Sequence, residues 1–372
     1  MGLRVKPGHS LNRMTSGAVW IGPLMYGQAT ELSDESGVVW AICERLDGTR
    51  DRAALVTEVL AQCPSAADIT AADIGEIIDF CIESGWLLDT EAPVPPEISG
   101  RERERYQRNA EFLSALDLRP GVTGFDLQAR LKASRVAVLG LGGVGTAVAA
   151  SLAACGVGRM HCVDSDVVEL SNLNRQLLYT EHDIGTSKVA AAVAHLSERN
   201  SDISITGADT WLDGPESVAH AVAGADAIVL CADQADADDD LERWTNLAAY
   251  AAGVPWLTAG YSGPKLSLSC FIPGQTACYW CLSAERRRQQ DELGIIRERL
   301  FRDRNDNPVI APTAQISGHF LALETVKVLV GLPAQTAGRE LHRYVTDYTE
   351  HYYDDAEPRP DCPAGCGAKM HR

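Results

Sequence analysis

The chain has 372 residues, long enough for two domains or one large one. Hydrophobic residues make up 45% of it, and the net charge of −18 argues against nonspecific nucleic-acid binding, which depends on neutralising phosphates. The N-terminal segment MGLRVKPGHSLNRM lacks the apolar core of a signal peptide, and glycines interrupt the uncharged stretch 136–157, which disfavours a membrane span. We therefore expect a cytoplasmic protein that has neither nucleic acid nor a membrane as a partner.

Residues 1–90 predict a small, winged-helix-like α+β domain. The apolar run at 19–21 and a second run near Met25 favour a hairpin that turns at Gly22-Pro23. Three helical patterns follow, at 39–46, 52–62 and 70–82, and the apolar residues 86–88 predict a closing strand or turn. The third helix carries acidic side chains where a DNA-binding helix would be basic. This disfavours a DNA-binding domain, and an inert cap remains an alternative.

The segment 91–109 predicts a linker between two domains. Its proline-rich start, Ala92 to Pro96, is stiff and does not continue a helix or a central strand. The charges alternate from Arg101 to Arg108, which is typical of a solvated helix face. The second domain is predicted to span 110–372.

A phosphate-binding pattern begins this second domain. Val136, Val138 and Leu139 predict a short buried strand, and an alanine-rich helix follows. The turn between them has G-x-G-x-x-G spacing and contains Gly140, Gly142, Gly143 and Gly145. Glycines let the backbone approach a phosphate, and the helix N-terminus supplies unpaired N–H groups and a positive dipole end. By itself this pattern fits any dinucleotide-binding domain.

Polar residues after the next apolar run narrow the choice of nucleotide. Asp164 and Asp166 stand where an acidic side chain can reach a ribose hydroxyl. Arg175 and Lys188 provide two cations for a polyphosphate. Nearby amides can hold the nucleotide, namely Asn172, Asn174 and Gln176. A nicotinamide cofactor has no obvious use for two cations here, whereas a nucleoside triphosphate does.

Helices and strands alternate from residue 189 to residue 251, and two further strands are predicted at 255–261 and 265–272. This order predicts an α/β fold with a doubly wound, mostly parallel, Rossmann-like sheet whose ligand lies at the strand ends. Asp233 follows the strand predicted at 227–230 and so belongs to the ligand-binding edge. Its alternative role is to cap the helix predicted at 234–251.

Two close pairs among the 11 cysteines predict a metal site. They are Cys278/Cys281 and Cys362/Cys366. Each pair can chelate from one tight turn, and four thiolates close a tetrahedral, structural zinc site that would hold the C-terminal tail against the sheet. In a cytoplasmic chain such pairs indicate metal before disulfides, and a redox C-x-x-C would need a thioredoxin-like setting.

These separated motifs resemble the ubiquitin-activating-like superfamily typified by ThiF and MoeB, over roughly residues 110–370. The resemblance implies an ATP-dependent adenylyltransferase in which Arg175 and Lys188 stabilise the phosphates and Asp233 holds Mg²⁺. It also implies a structural Zn²⁺ on the cysteine pairs and a crossover loop, over the acyl acceptor, within 285–307. In this family the long apolar helix that starts at Ala311 lies in a homodimer interface. An arginine of the 101–108 segment would then be a candidate to reach the partner's ATP.

The N-terminal segment adds a second resemblance. Residues 32–48 and 83–88 resemble PqqD-type domains, which recognise leader peptides as an added strand on a sheet edge. The layout of both parts resembles the microcin-C-type peptide adenylating enzymes. It implies ATP-dependent modification of a ribosomally made precursor peptide, by adenylation of a carboxylate or carbonyl, with AMP and pyrophosphate formed. The expected partners are the precursor (leader) peptide, a second copy of the chain and a downstream biosynthetic enzyme.

Three other functions compete with this prediction. A non-catalytic leader-peptide-binding partner of a cyclodehydratase would be expected to have lost ATP residues, but the set is complete here. A sulfur-carrier-protein adenylyltransferase is disfavoured by the N-terminal domain and by the lack of cysteine in the crossover segment. A nicotinamide oxidoreductase is disfavoured by Arg175, Lys188 and the paired cysteines.

Overall fold

The computed structural model describes residues 2–23, 29–63, 69–232, 241–294, 308–347 and 351–369. Contacts divide the chain into two compact units, Met1–Arg130 and Leu131–Arg372. The first unit extends past residue 90 because the helix at Gly100–Leu116, inside and beyond the predicted linker, packs within it. Lys6 Nζ donates to the Asp117 carbonyl at 2.6 Å, just after this helix, and both residues are buried.

The first unit is a small α+β assembly. Its elements are β1 (Leu3–Val5), β2 (His9–Arg13), β3 (Val19–Pro23), β4 (Thr30–Leu32), α1 (Val38–Cys43), α2 (Arg52–Gln62), α3 (Ala71–Glu83), β5 (Leu87–Asp89) and α4 (Gly100–Leu116), and α5 (Gly124–Ala133) spans the division. β2, β3 and β4 form an antiparallel sheet in that order, and β1 pairs with β5. The three predicted helices are confirmed, and the closing segment, predicted as a strand or a turn, is the strand β5.

The predicted turn at Gly22-Pro23 is wrong. Both residues lie inside β3, and the hairpin instead joins β2 to β3 through a turn in which the Met14 amide donates to the Ala18 carbonyl at 2.8 Å. Gly17 supplies the positive φ of 92° that this turn requires. The run near Met25 lies outside the described residues.

The helices of the first unit begin at side-chain caps and bury one face each. Thr70 and Asp73 form a reciprocal capping box at the start of α3, and Asp51 caps α2. Ile42, Leu55 and Ile78 are fully buried in the core between these helices and the strands. The apolar spacing seen in the sequence therefore corresponds to real inward faces.

The second unit is built on an eight-stranded, mostly parallel sheet with the order β13-β12-β11-β10-β9-β6-β7-β8. Its elements are β6 (Arg135–Leu139), α6 (Gly143–Cys155), β7 (Arg159–Asp164), α7 (Lys188–Arg199), β8 (Ser204–Asp209), α8 (Pro215–Ala221), β9 (Ala227–Leu230), α9 (Leu241–Ala252), β10 (Trp256–Ser262), β11 (Lys265–Phe271), α10 (Tyr279–Glu292), α11 (Ala311–Val330), β12 (Arg339–Tyr344), β13 (His351–Asp355) and α12 (Cys366–Lys369). The predicted α/β class is confirmed.

The strand order creates a switch point between β6 and β9. From β6 the chain builds outward to β7 and β8, and then returns to place β9 and β10 on the opposite side, with all five strands parallel. Ligands bind open sheets of this kind at the carboxyl ends of the strands beside the switch point. The glycine turn follows β6, so it lies at that place.

Helix α10 corrects one prediction. The segment from Glu285 was predicted to be loop-like, but α10 continues to Glu292. Arg288 pairs with Glu285 one turn before it and with Glu292 one turn after it, which stabilises the helix. The rest of the predicted crossover loop, 295–307, lies outside the described residues.

Helix α11 packs closely against α6. A Cβ placed at Gly318 would lie 2.5 Å from the Ala147 Cβ, so only glycine permits this approach. Within the described part of the chain, no helix combines the length and the apolar character needed to cross a membrane.

Candidate active site

Most of the predicted nucleotide residues meet in one cleft of about 320 Å³ in the second unit. Those that line it are Gly140, Gly142, Gly143, Asp164, Asp166, Asn172, Arg175, Gln176 and Lys188. Gly145 and Asn174 do not line it. Asp233 lies outside the described residues, although Cys231 and Ala232, which precede it, line the cleft.

The glycine turn is fixed by close backbone contacts. A Cβ at Gly145 would lie 1.9 Å from the Gly140 carbonyl oxygen, and one at Gly140 would lie 2.5 Å from the Ala232 nitrogen. Gly145 thus allows the backbone of the turn to pack closely and does not line the cleft. Gly142 precedes α6 without a side-chain cap, and the atom nearest to a Cβ placed there is Gln176 Nε2 at 3.9 Å. The first N–H groups of α6 therefore have no side-chain cap, and a phosphate in the cleft can accept from them.

Asp164 joins this turn to the next strand. Its Oδ2 accepts from the Leu141 amide at 2.6 Å and its Oδ1 accepts from the Asp166 amide at 2.9 Å. The Tyr179 hydroxyl, buried below, donates to the Leu141 carbonyl at 3.1 Å. The carboxylate is held in one orientation at the end of β7, and each oxygen retains a lone pair for a ribose hydroxyl.

Lys188 lies at the start of α7 with its side chain only 7% exposed. Its Nζ donates to Asp166 Oδ2 at 2.8 Å. The loop before it is fastened to the strand end, since the Lys188 amide donates to the Asp166 carbonyl at 2.9 Å. An ammonium group has three donors, so two remain for phosphate oxygens in the cleft.

Arg175 is held from two sides. Its Nη1 donates to the Ser171 carbonyl at 3.1 Å and to Asn174 Oδ1 at 2.9 Å, which gives Asn174 a positioning role. Gln315 of α11 donates to the Arg175 carbonyl at 3.0 Å and to the Gly143 carbonyl at 3.4 Å. The Nε and Nη2 donors remain suited to a phosphate.

Two buried amides complete the described polar lining. Asn172 Oδ1 accepts from the Glu169 amide at 3.1 Å and caps a 3₁₀ turn at Leu170–Asn172. Gln176 is 2% exposed, and within the described residues its Oε1 has no hydrogen-bond partner. An unpaired buried oxygen is costly unless a ligand donates to it. The cleft therefore offers cations, helix N–H groups and a free acceptor, a set that fits a nucleoside triphosphate.

Sequence reasoning missed part of the lining. Thr210, Trp211 and Leu212 follow β8, and Ala259, Gly260 and Tyr261 lie near the end of β10. None belongs to a recognised motif. The only signal was positional, because each group stands at the carboxyl end of a parallel strand.

The four predicted zinc cysteines come together in the second unit. Cys278 precedes α10, Cys281 lies in its first turn, and Cys362 and Cys366 come from the tail. All four are buried and their sulfur atoms lie within 4.8 Å of one another. The Sγ separations are 3.3 Å for Cys278–Cys362 and Cys281–Cys366, and 3.9 Å for Cys278–Cys281. Tetrahedral Zn–S bonds of about 2.3 Å place sulfurs about 3.8 Å apart, so the set fits zinc.

The surroundings also fit a metal. Burial raises the pKa of the Cys278 thiol and raises that of Cys366 to about 12, so a bound cation must displace their protons. The Arg359 amide donates to Cys281 Sγ at 3.3 Å, as backbone amides do to zinc-bound thiolates.

A family model agrees with this architecture. The model of the ThiF family matches residues 115–364. The chain belongs to the ThiF family. This ThiF-family chain is 33% identical over 222 residues to the sulfur carrier protein ThiS adenylyltransferase of Escherichia coli (strain K12). The aligned region covers 59% of this chain and 80% of the relative. It is also 32% identical over 244 residues to the molybdopterin-synthase adenylyltransferase of the same strain, and that aligned region covers 65% of this chain and 88% of the relative.

Solved structures extend the likeness to the whole fold. E. coli MccB, solved with AMPCPP and MccA, superposes with a TM-score of 0.74 at 21% identity and covers 98% of this ThiF-family chain and 99% of its own. PaaA superposes with a TM-score of 0.71 at 24% identity, and the superposition covers 94% of this chain and 98% of PaaA. At these identities the likeness is one of fold. The family match and the two adenylyltransferase relatives confirm the prediction of an ATP-dependent, ThiF-family adenylyltransferase.

Proposed function

We propose that the protein adenylates a carboxyl or related carbonyl group of a ribosomally made precursor peptide. The observation that carries this proposal is the pairing of two units. The ThiF match begins at residue 115, whereas the fold likeness to MccB spans 98% of the chain and so includes the N-terminal unit. The microcin C7 biosynthetic enzyme MccB has been solved in complex with N-formylated MccA.

ATP would lie along the described cleft with its phosphates at the start of α6. The N–H groups after Gly142 would donate to phosphate oxygens, and Asp164 would accept from the ribose. Gln176 Oε1, which is buried and unpaired within the described residues, would accept from the nucleotide. Arg175 and Lys188 would contact the phosphates with their remaining donors.

The reaction needs alignment and charge neutralisation more than proton transfer. A carboxylate oxygen of the substrate attacks the α-phosphorus, the bond to the bridging oxygen breaks, and pyrophosphate leaves with its electron pair. The product is an acyl adenylate. Arg175 and Lys188 are fixed before the reaction by their hydrogen bonds, so they stabilise the developing charge without rearranging. Mg²⁺ would neutralise the leaving pyrophosphate, and its predicted ligand, Asp233, lies outside the described residues.

The N-terminal unit would capture the peptide. Its three-stranded sheet ends in β2 on one side and β4 on the other, and a PqqD-like domain would add an extended peptide at such an edge. The predicted homodimer through α11 and the downstream enzyme remain part of this proposal. Helix α11 exposes Phe320 (37%) and Leu323 (40%), which suits an interface.

Nucleotide product analysis tests the function. The purified chain is incubated with Mg-ATP and short peptides encoded beside its gene, with Asp233→Ala as the control. We expect AMP and pyrophosphate that depend on the peptide and are absent in the variant. ADP and phosphate would indicate phosphorylation instead. Tight peptide binding with no ATP turnover would leave only a non-catalytic binding partner.

Sulfur-carrier adenylylation is the second candidate, because the ThiS adenylyltransferase reported above acts on a sulfur carrier protein by name and is 33% identical to this chain. The chain has no cysteine between Cys281 and Cys362, which disfavours a later thioester there. A sulfur-carrier protein replaces the peptide in the same assay. Carrier-dependent pyrophosphate without a response to any peptide would favour this candidate.

A further inference from the structure

The described cleft continues beyond the residues that account for phosphates and ribose. Thr210, Trp211 and Leu212 follow β8 and line the same cavity as Asp164. β8 pairs in parallel with β7, with Asp209 opposite Asp164, and the Thr210 amide donates to the Asp164 carbonyl at 3.0 Å. The segment is thus fastened, residue by residue, to the strand end that would hold the ribose.

The order of the three strands sets the direction of the nucleotide. The phosphate-binding turn follows β6, the ribose-binding carboxylate ends β7, and β8 is the next strand in the sheet. A nucleotide laid across these ends brings its base to β8. The side chains there offer an aromatic ring and an aliphatic group, with Trp211 53% exposed beside the cleft. A large aromatic ring exposed at this place can stack on a purine.

We propose that Trp211 is the base-stacking residue of this site and fixes the adenine end of ATP. The inference rests on the nucleotide site of the proposed function and adds a residue that reads the base. Stacking depends on the face of the ring, so phenylalanine should replace tryptophan at modest cost, whereas alanine should not. The side chain would have no role toward the phosphates, because the β6 turn that would bind them is two strands away.

Equilibrium binding to two ligands tests the proposal. The full chain is titrated with a nonhydrolysable ATP analogue and, separately, with inorganic tripolyphosphate, both with Mg²⁺. The variants are Trp211→Ala and Trp211→Phe, with Trp20→Ala as the matched control, since Trp20 is 40% exposed in the other unit. We expect Trp211→Ala to lower the affinity for the analogue on the order of tenfold and to leave the affinity for tripolyphosphate unchanged. Trp211→Phe should stay within about threefold, and Trp20→Ala should match the wild type.

Fluorescence gives a second readout that does not require turnover. Binding of the analogue should quench part of the tryptophan emission, and Trp211→Phe should remove that change. Equal losses for the analogue and tripolyphosphate in Trp211→Ala would show a structural role and overturn the proposal. So would an unchanged affinity for the analogue. Because binding is measured without a peptide, failure of peptide adenylation would leave this result intact.

Discussion

Single side chains at the cleft are set before any nucleotide arrives. Lys188 is nearly buried yet paired with Asp166, whose side chain is 61% exposed. The ammonium group is therefore stable without a ligand, and its direction is fixed by a partner that reaches solvent. Such preorganisation is worth most when charge develops in the transition state.

Lys188→Met should reduce peptide-dependent pyrophosphate release on the order of 100-fold, because the charge that meets the phosphates is lost while the aliphatic stem remains. The melting temperature should change little, since Asp166 can turn to water. Arg199→Met, at the opposite end of α7, is the matched control and should keep full activity. Similar losses in both variants would contradict the assignment of Lys188.

Substitutions at two glycines of the turn should affect two different properties, the stability of the fold and the affinity for ATP. Gly145→Ala should destabilise the fold by about 1–3 kcal/mol, because its Cβ would lie 1.9 Å from a carbonyl oxygen. Gly142→Ala should keep the melting temperature and weaken ATP binding, because its Cβ enters open space in front of α6. Thermal unfolding and ATP titration measure the two effects. A stable Gly145→Ala variant would show that the turn can shift.

At this scale the sequence predicted the polar residues better than their functions. Spacing and charge identified Asp164, Arg175 and Lys188, all of which line the cleft. The sequence did not show that Asn174 holds Arg175, or that Gly145 packs below the turn, because both depend on contacts between loops. Trp211 was missed because an isolated aromatic residue after a strand carries no spacing signal.

The elements of the second unit follow from periodicity, but their ends do not. The strands at 227–230 and 265–271 lie where strands were predicted, at 227–230 and 265–272, whereas other boundaries differ. The segment from Glu285 reads as charged and irregular, although ion pairs within one turn make it helical. The sequence likewise placed a turn inside β3, where pairing with β2 overrides the preference of Gly22-Pro23 for turns.

The packing of the C-terminal tail against α10 should depend on a metal bound by the four cysteines. We expect one zinc ion per chain by elemental analysis, and Cys362→Ser should lower zinc content and the melting temperature, because a structural zinc site contributes to folding. Cys63→Ser, a cysteine of the first unit outside the cluster, is the control. Full zinc retention by Cys362→Ser would exclude the four-thiolate site.

The sheet of the first unit should respond to the peptide. Hydrogen exchange of the full chain, with and without the encoded peptide, should show slower exchange at an edge strand, β2 or β4, because an added strand pairs with exposed backbone groups. Protection limited to the ATP cleft would contradict capture by strand addition. A scrambled peptide of equal composition controls for charge.

Across the whole molecule, recognition and chemistry should be separable. The proposed peptide edge belongs to the unit Met1–Arg130 and the cleft to Leu131–Arg372. Lys188→Met should therefore bind the peptide within about twofold of the wild type while losing turnover. Calorimetric titration with the peptide measures this. Loss of peptide affinity in that variant would place part of the recognition in the cleft.

The positions of the four cysteines in the sequence also determine when the cluster can form during synthesis. Two of its sulfurs come from residues 278 and 281 and two from residues 362 and 366 of a 372-residue chain. During synthesis the second pair leaves the ribosome well after the first, so the cluster can close only once residue 366 has emerged. Until then the first pair is an open dithiol at the start of α10. A truncated product that stops before residue 362 keeps every described cleft residue but can never close the cluster.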